Sequence, residues 1–277
     1  MHWQTTRFSI DLARPKVMGI VNLTPDSFSD GGQIFGPAAA IARCEQLLAE
    51  GTDILDLGGE STRPGSRPVS LDEELARLMP VLKAVLTLGC PVSIDTNKTA
   101  VMAAVLDLGA DIVNDINALQ APGAIDVLAR HPSGGVCLMH MRGTPESMQQ
   151  RPQYANVIDE VTAFLRERVA ALTARGVDAD RIAIDPGIGF GKSVEHNLDL
   201  LRRQRELLAI GRPLLVGWSR KSTLGAVTGR AVDERLAASV AAALAAVAAG
   251  ARILRVHDVG ATVDALKVWQ AAGGAQG

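Results

Sequence analysis

From Lys16 onward the chain alternates between short apolar runs rich in β-branched residues and longer stretches whose apolar positions recur at helical spacing. Strands buried on both faces, as in a parallel sheet, read as continuous apolar runs instead of alternating ones. On that pattern eight strands are predicted: Val17–Val21, Asp53–Leu57, Val92–Ile94, Ile112–Val113, Gly135–Met139, Ile182–Ile184, Leu214–Val216 and Ile253–Val256. A helix is predicted after each, near Ala38–Ala49, Leu71–Leu88, Ala100–Leu108, Ala124–Ala129, Val157–Ala174, Asn197–Leu207, Glu234–Ala249 and Ala261–Ala271. Ser70 and Glu73 have the spacing of a capping box before the second helix, and Gly250 can close the seventh. Eight βα units in succession predict an α/β chain folded as a (β/α)8 TIM barrel. No linker, low-complexity tract or charge block interrupts the 277 residues, so a single domain over 1–277 is expected. Residues up to about 15 should form a short strand or hairpin that closes the barrel bottom.

At or just beyond the end of each predicted strand stands a polar residue: Asn22, Asp56, Asp95, Asn114 with Asp115, His140, Asp185, Ser219 and His257. In a parallel barrel all of these fall on the C-terminal rim, where enzymes of this architecture carry their chemistry. Helix capping accounts for one or two such residues but not for every position.

Composition narrows the partners. A hydrophobic content of 47% supports one large core, and a net charge of −2 offers no general attraction to nucleic acid or anionic lipid. Neither is expected as a partner, and any anion site must be built locally. Cys44, Cys90 and Cys137 are odd in number, far apart and set among apolar neighbours, which suits reduced core thiols in a cytosolic protein. Met1 to Arg14 lacks the apolar stretch of a secretory signal, and the Ala-rich run ending at Ala249 is too short to span a bilayer. A cytoplasmic location is expected.

Two long polar loops follow the first two strands. Asn22 to Gly32 carries Phe28, and Gly58 to Gly65 carries Thr62, Arg63 and Pro64, and their glycines suit a paired lid over the barrel mouth. The stretch from Asp185 to Ser193 is glycine-rich, but Pro186 and Lys192 stand where a phosphate-binding loop and a dinucleotide fingerprint need glycine. It reads as a wall of the site, with Asp185 as the polar group and Phe190 as apolar lining. Ser219, Arg220 and Lys221 follow the seventh strand, a common place in barrels for phosphate groups or an inward lysine. Arg255 and His257 are two apart, share a strand face and can clamp one anion. Asp56, Asp95 and Asp185 bring acceptors from three strands to one rim, suited to a heterocycle with several ring N–H groups, and Asn114 both donates and accepts. No HExxH or CxxC occurs, whereas a Mg²⁺ held mainly by diphosphate oxygens needs only one or two protein ligands. His140 is open to a purely structural reading.

These segments resemble dihydropteroate synthases from near Val17 to near Val263. The matching stretches are MGIVNLTPDSFSDGG from Met18, DLGGESTRPG from Asp56, SIDT from Ser93, NDI from Asn114, LMHM from Leu138, DPGIGFGK from Asp185, SRKS from Ser219 and RVHD from Arg255, all in the expected order. The resemblance implies a transferase of folate biosynthesis that joins 4-aminobenzoate to (7,8-dihydropterin-6-yl)methyl diphosphate, giving 7,8-dihydropteroate and diphosphate. It implies a pterin pocket lined by Asp95, Asn114, Asp185 and Lys221, with Asp56 nearby and Met139 packed on the ring. The diphosphate would lie between Asn22, Arg63, Arg255 and His257, with Asn22 also touching Mg²⁺. The 4-aminobenzoate would rest against Phe28, Thr62, Pro64, Phe190 and Ser219. The catalytic set implied is Asp95, Asp185, Lys221, Arg255 and His257, acting on a pterin whose diphosphate leaves before the aniline nitrogen attacks. A homodimer through helices late in the barrel is also implied. Two positions depart from the pattern: Trp218 replaces a smaller or more flexible residue beside the aminobenzoate region, which bears on affinity, and Asn117 replaces an arginine.

Three other readings remain. A non-catalytic pterin-binding paralogue should lack part of the anion clamp or the lid, and no segment is missing. An aldolase-like barrel with Lys221 as a Schiff base needs an apolar lysine niche, which Ser219, Arg220 and Ser222 do not offer. A methyltetrahydrofolate-binding methyltransferase domain has no use for the Arg255–His257 clamp.

Overall fold

Strands apolar on both faces are stable only when both faces are covered, and this chain covers them by closing its sheet inside a ring of helices. The computed structural model describes residues 1–24, 36–61, 66, 68–144, 148 and 152–274. An antiparallel hairpin, β1 (His2–Gln4) with β2 (Ser9–Asp11), comes first. Then follow β3 (Lys16–Asn22), β4 (Ile54–Gly58), β5 (Val92–Asp95), β6 (Ile112–Asp115), β7 (Gly135–Met139), β8 (Ile182–Asp185), β9 (Leu215–Val216) and β10 (Ile253–Val256). They pair in parallel in the order β8-β7-β6-β5-β4-β3-β10-β9, and a bridge between Ile184 and Leu214 closes the ring, giving the expected (β/α)8 barrel in a single domain.

The outer helices are α1 (Pro37–Ala49), α2 (Leu71–Val85), α3 (Thr99–Asp107), α4 (Ala124–Arg130), α5 (Val157–Thr173), α6 (Val194–Arg202), α7 (Ser222–Thr228), α8 (Leu236–Ala248) and α9 (Val259–Ala271). Ser70 Oγ accepts from the Glu73 N–H as expected, but the Glu73 carboxylate turns to Arg77, so only half of that capping box forms. A full box appears instead at α6, where Ser193 accepts from the His196 N–H and His196 Nδ1 accepts from the Ser193 N–H. This starts α6 before the expected Asn197, and Gln204–Ile210 continues as a 3-10 turn. Gly250, at φ +98°, closes α8 as expected, with the Ala251 N–H reaching Ala246 O.

The period of two along each strand sorts the barrel into tiers. Met18, Ile54, Ile112, Cys137, Ala183, Leu215 and Ile253 pack together inside with Trp3, Ile10 and Leu12 of the hairpin. Their strand neighbours, among them Val17, Leu55, Val113, Val136, Ile182 and Leu254, pack outward against the helices. Two residues further up, the inward positions become Asp56, Asn114, Met139, Asp185 and Arg255. The apolar tier thus forms a floor, and the polar residues stand on it.

The hairpin seals that floor. Trp3 is fully buried, and its Nε1 donates to Arg181 O at 2.9 Å. Arg7 pairs with Asp111, whose carboxylate also accepts from the Val92 N–H at 2.8 Å. The three cysteines are free and buried, and burial raises the thiol pKa of Cys44 to about 12 and of Cys90 to about 11. Truncating a fully buried tryptophan removes both contacts and volume, so Trp3→Ala is expected to destabilise the fold by about 3–5 kcal/mol in urea unfolding. A midpoint unchanged from the parent would show that the hairpin is not the barrel's seal.

Candidate active site

At the centre of the polar tier, Arg255 reaches across the barrel to two other strands. Its Nε donates to Asp56 Oδ2 and its Nη2 to Asp95 Oδ2, both at 2.7 Å. Burial opposes the guanidinium charge, but Asp56 and Asp95 outweigh it and hold its pKa above the ordinary value. Asp95 is shifted upward, chiefly by burial: Arg255 pulls it down, while Asp56, Asp115 and Glu74 push it further up. One cation is shared by two buried carboxylates, and Asp56 Oδ1 and Ser93 Oγ are buried with no hydrogen-bond partner among the described residues.

Beside this triad lie Asn114, buried on β6, and Asp185, whose Oδ1 accepts from the Gly187 N–H at 2.7 Å. Burial raises the Asp185 pKa against the opposing pull of that N–H and of Lys221, Arg255 and Lys192. Lys221 Nζ stands 4.3 Å from the centre of the Phe190 ring. Burial, with Arg255 adding to it, lowers its pKa to about 8 against Asp185 and Asp95. Met139 is buried and in register with Asp185.

On the rim, Ser219 Oγ accepts from the His257 N–H at 3.1 Å and lies 3.0 Å from His257 Nδ1. Next to it Arg220 adopts φ +59°, a left-handed conformation that costs a non-glycine residue about 1 kcal/mol or more. Asp258 pairs with its guanidinium, Ser239 accepts its N–H and Arg235 donates to its carbonyl. The expected Arg255–His257 clamp is therefore not preassembled, because Arg255 turns to its carboxylates and His257 to Ser219. Arg255 Nη1 has no partner among the described residues, and neither does the Asn22 side chain at the top of β3. Phe28, Thr62, Arg63 and Pro64, and with them the expected lid, lie outside the described residues.

Several rim positions serve structure. Asp115 accepts from the Asn117 and Leu119 N–H groups at 2.7 Å, holding Ala118 and Leu119 at positive φ. His140 is buried with Nδ1 2.9 Å from Lys192 Nζ, and burial lowers its pKa to about 2, so it stays neutral. Trp218, next to Ser219 and beyond the end of β9, is buried in the core cluster that also holds Leu224, Ala242 and Ala243. Its influence on ligands would pass through α7 and α8. The glycine-rich stretch after β8 is explained by close approach: a Cβ on Gly187 would stand 1.9 Å from His140 O and one on Gly191 2.2 Å from Arg142 O. Not foreseen was Lys98, which pairs with both Glu60 and the buried Glu74 and anchors the backbone after β4. Only Glu60 of these three lay in a segment that drew attention.

Residues 18–257 match the family model of pterin binding enzymes. The chain is 55% identical to the dihydropteroate synthase of Neisseria meningitidis serogroup B, over 98% of this chain and 97% of that one. The crystal structure of Burkholderia cenocepacia dihydropteroate synthase complexed with 7,8-dihydropteroate superposes with a TM-score of 0.90 at 50% identity, covering 98% of this chain and 96% of that one. The Xanthomonas albilineans enzyme with 4-aminobenzoic acid gives 0.90 at 48% identity, covering 97% and 96%.

The Arg255 triad generates a pH-dependent expectation. Asp95 titrates above its ordinary 3.8 in the fold, so its ionisation works against folding as pH rises through and beyond the carboxylate range. Removing Arg255 raises it further. Arg255→Met is expected to destabilise the protein by about 3–5 kcal/mol at pH 8, and by clearly less near pH 5, in paired urea titrations. An equal loss at both pH values would mean that Arg255 does not compensate the buried carboxylates.

Proposed function

This chain belongs to the dihydropteroate synthases, pterin-binding transferases of folate biosynthesis, and on that premise we propose how its barrel mouth joins 4-aminobenzoate to (7,8-dihydropterin-6-yl)methyl diphosphate. The observation that carries the assignment is the ring of buried acceptors, Asp95, Asn114 and Asp185, facing one another above an apolar floor with Arg255 crossing between them. The pterin ring lies among these groups, giving its N–H groups to the carboxylates and Asn114, taking a bond from Lys221 and stacking on Met139. Asp56 acts through Arg255. The diphosphate lies at the rim, between Asn22, Arg63, the open Nη1 of Arg255 and His257. The 4-aminobenzoate sits higher, against Phe28, Thr62, Pro64, Phe190 and Ser219.

The bond between the pterin methylene and diphosphate oxygen breaks first, with both electrons leaving on the diphosphate. Asp95 offsets the positive charge that develops on the pterin, while Arg255 and His257 offset the charge on the leaving group. The aniline lone pair then forms the C–N bond, and the extra proton passes to diphosphate or water. No strong base is required, because the aniline nitrogen is already neutral at pH 7.

Mg²⁺ fits this site through Asn22. Among the described residues no group of three or more His, Cys, Asp or Glu side chains could hold a metal alone, whereas Asn22 ends β3 with a side chain that has no hydrogen-bond partner among them. Asn22 would help to hold the ion together with the diphosphate, and the ion would supply further charge compensation to the leaving group. The reading extends to a homodimer, supported by Val227, Val232 and Leu236, which expose 60%, 56% and 46% of their surface around the α7–α8 junction. The buried reduced thiols support a cytoplasmic location.

Formation of 7,8-dihydropteroate from the pterin diphosphate and 4-aminobenzoate, with one diphosphate released per product, is the direct test, and no product from the two together would refute the reading. Asp185→Asn and Asp95→Asn are each expected to lower turnover by about a hundredfold while the unfolding midpoint stays near that of the parent. Near-normal turnover in either would remove that residue from the mechanism. Because the pterin forms the floor under the aniline nitrogen, the two ligands are coupled. Labelled 4-aminobenzoate should bind about tenfold or more tightly once pterin, diphosphate and Mg²⁺ are present. Equal affinities in the two titrations would mean that the upper site forms without the lower one.

A further inference from the structure

We propose that Lys192 is a positioning residue for the aminobenzoate side of the site, acting by holding Phe190 in place. Lys192 is only 2% exposed, and among the described residues no carboxylate lies within ion-pair distance of it. Its Nζ meets three acceptors: His140 Nδ1 at 2.9 Å, Phe190 O at 3.0 Å and His140 O at 3.2 Å. An ammonium group has three N–H bonds to give, one for each of these acceptors, and they offset the burial that lowers the Lys192 pKa to about 7. The His140 ring is itself fixed edge-on to Phe164, 5.0 Å between centres.

Within the loop that carries Phe190, Asp185 Oδ1 accepts from the Gly187 N–H at 2.7 Å and Gly187 O from the Phe190 N–H at 3.1 Å. Gly187, Gly189 and Gly191 are all at positive φ; Gly187 and Gly191 let the backbone lie directly on the carbonyls of His140 and Arg142, and Gly189 faces the Lys221 side chain. Close approach by glycine permits this path but does not enforce it, since glycine is also free to leave it. The Tyr154 hydroxyl holds Gly191 O at 2.9 Å and the Asn197 amide oxygen holds the Gly189 N–H at 2.9 Å. Lys192 supplies the bond to Phe190 itself and ties it to the end of β7. The Phe190 ring is thereby presented beneath Lys221, where it meets both the pocket wall and the lysine that faces the pterin. An aliphatic side chain at 192 would leave two buried carbonyls and an imidazole nitrogen without their donor.

The inference rests on the reading of Phe190 as a wall of the aminobenzoate subsite, so both residues enter the test. Steady-state kinetics are measured on the purified enzyme and on Lys192→Met, Phe190→Ala and the double variant. Lys192→Met should raise the KM for 4-aminobenzoate about tenfold or more while kcat and the KM for pterin diphosphate move by less than about threefold. In the Phe190→Ala background the same change at Lys192 should add little, because residues that act through one another are not additive. An unchanged 4-aminobenzoate KM in Phe190→Ala overturns the subsite reading, and the proposal with it. A raised KM in Phe190→Ala with none in Lys192→Met overturns the positioning role alone, as does full additivity in the double variant. Parallel losses in kcat, both KM values and unfolding midpoint would show a role in the scaffold only. Lys192→Gln, which retains two N–H donors one atom nearer the backbone, takes the place of the methionine variant if that variant does not fold, and is held to the same outcomes.

Discussion

A guanidinium shared by two buried carboxylates governs the interior of this barrel. Arg255 comes from the last strand, Asp56 from the second and Asp95 from the third of the closed sheet, and the three meet through bonds of 2.7 Å. A single cation cannot neutralise both partners, and low dielectric magnifies the shortfall. Counting Asp185 with Lys221 and Lys192, three carboxylates face three cations in the same region, and the carboxylates offer more acceptor positions than these cations fill. A ring rich in N–H groups satisfies those acceptors, and a developing cation beside Asp95 answers the charge that Arg255 must share with Asp56.

Such a cluster persists only on a rigid support. The apolar tier below it, sealed by Trp3, Ile10 and Leu12, supplies that support and keeps water out from beneath. The strand period then does the placing, because the residue two positions above each floor residue must point inward again. Ile54 dictates Asp56, Ile112 dictates Asn114, Ala183 dictates Asp185 and Ile253 dictates Arg255. Above the strands parity no longer holds, and other devices take over: Asp258, Ser239 and Arg235 clamp the strained Arg220 between Ser219 and Lys221, while Lys192 and two close-packed glycines fix the path to Phe190.

The barrel was legible in the sequence because parallel strands announce themselves as uninterrupted apolar runs, and all eight lie within a residue or two of their expected positions. The polar rim was legible for the same reason, as the residues where those runs stop. Less visible was anything that depends on contacts distant in the chain. The bonds from Arg255 span 199 and 160 residues, and an argument from spacing saw only its neighbour His257. Trp218 lies beyond β9, and its burial in the core beside Leu224, Ala242 and Ala243 depends on α7 and α8, which spacing around Ser219 does not reveal. Helix α7 is too short for a periodic signal, and the cap of α6 uses His196 where glutamate or glutamine is the familiar partner. Lys192 read as a failed match to a nucleotide motif because two of its three acceptors, both on His140, belong to another loop.

The sharing of Arg255 also bears on the order of events in the proposed reaction. Its Nε and Nη2 are committed to Asp56 and Asp95, and in the proposed arrangement Nη1 would take the diphosphate. A guanidinium charge is delocalised, so an anion drawn to Nη1 competes with Asp56 and Asp95 for the same positive charge. As the methylene–oxygen bond lengthens and charge accumulates on the departing diphosphate, Arg255 is drawn toward it and compensates Asp95 less. At that same moment the pterin becomes cationic beside Asp95. The carboxylate is thus least neutralised when a positive partner appears, so leaving-group departure and cation stabilisation reinforce each other through one side chain. This favours a path in which the bond to diphosphate breaks well ahead of attack, and it needs no movement of the strands on which these groups stand.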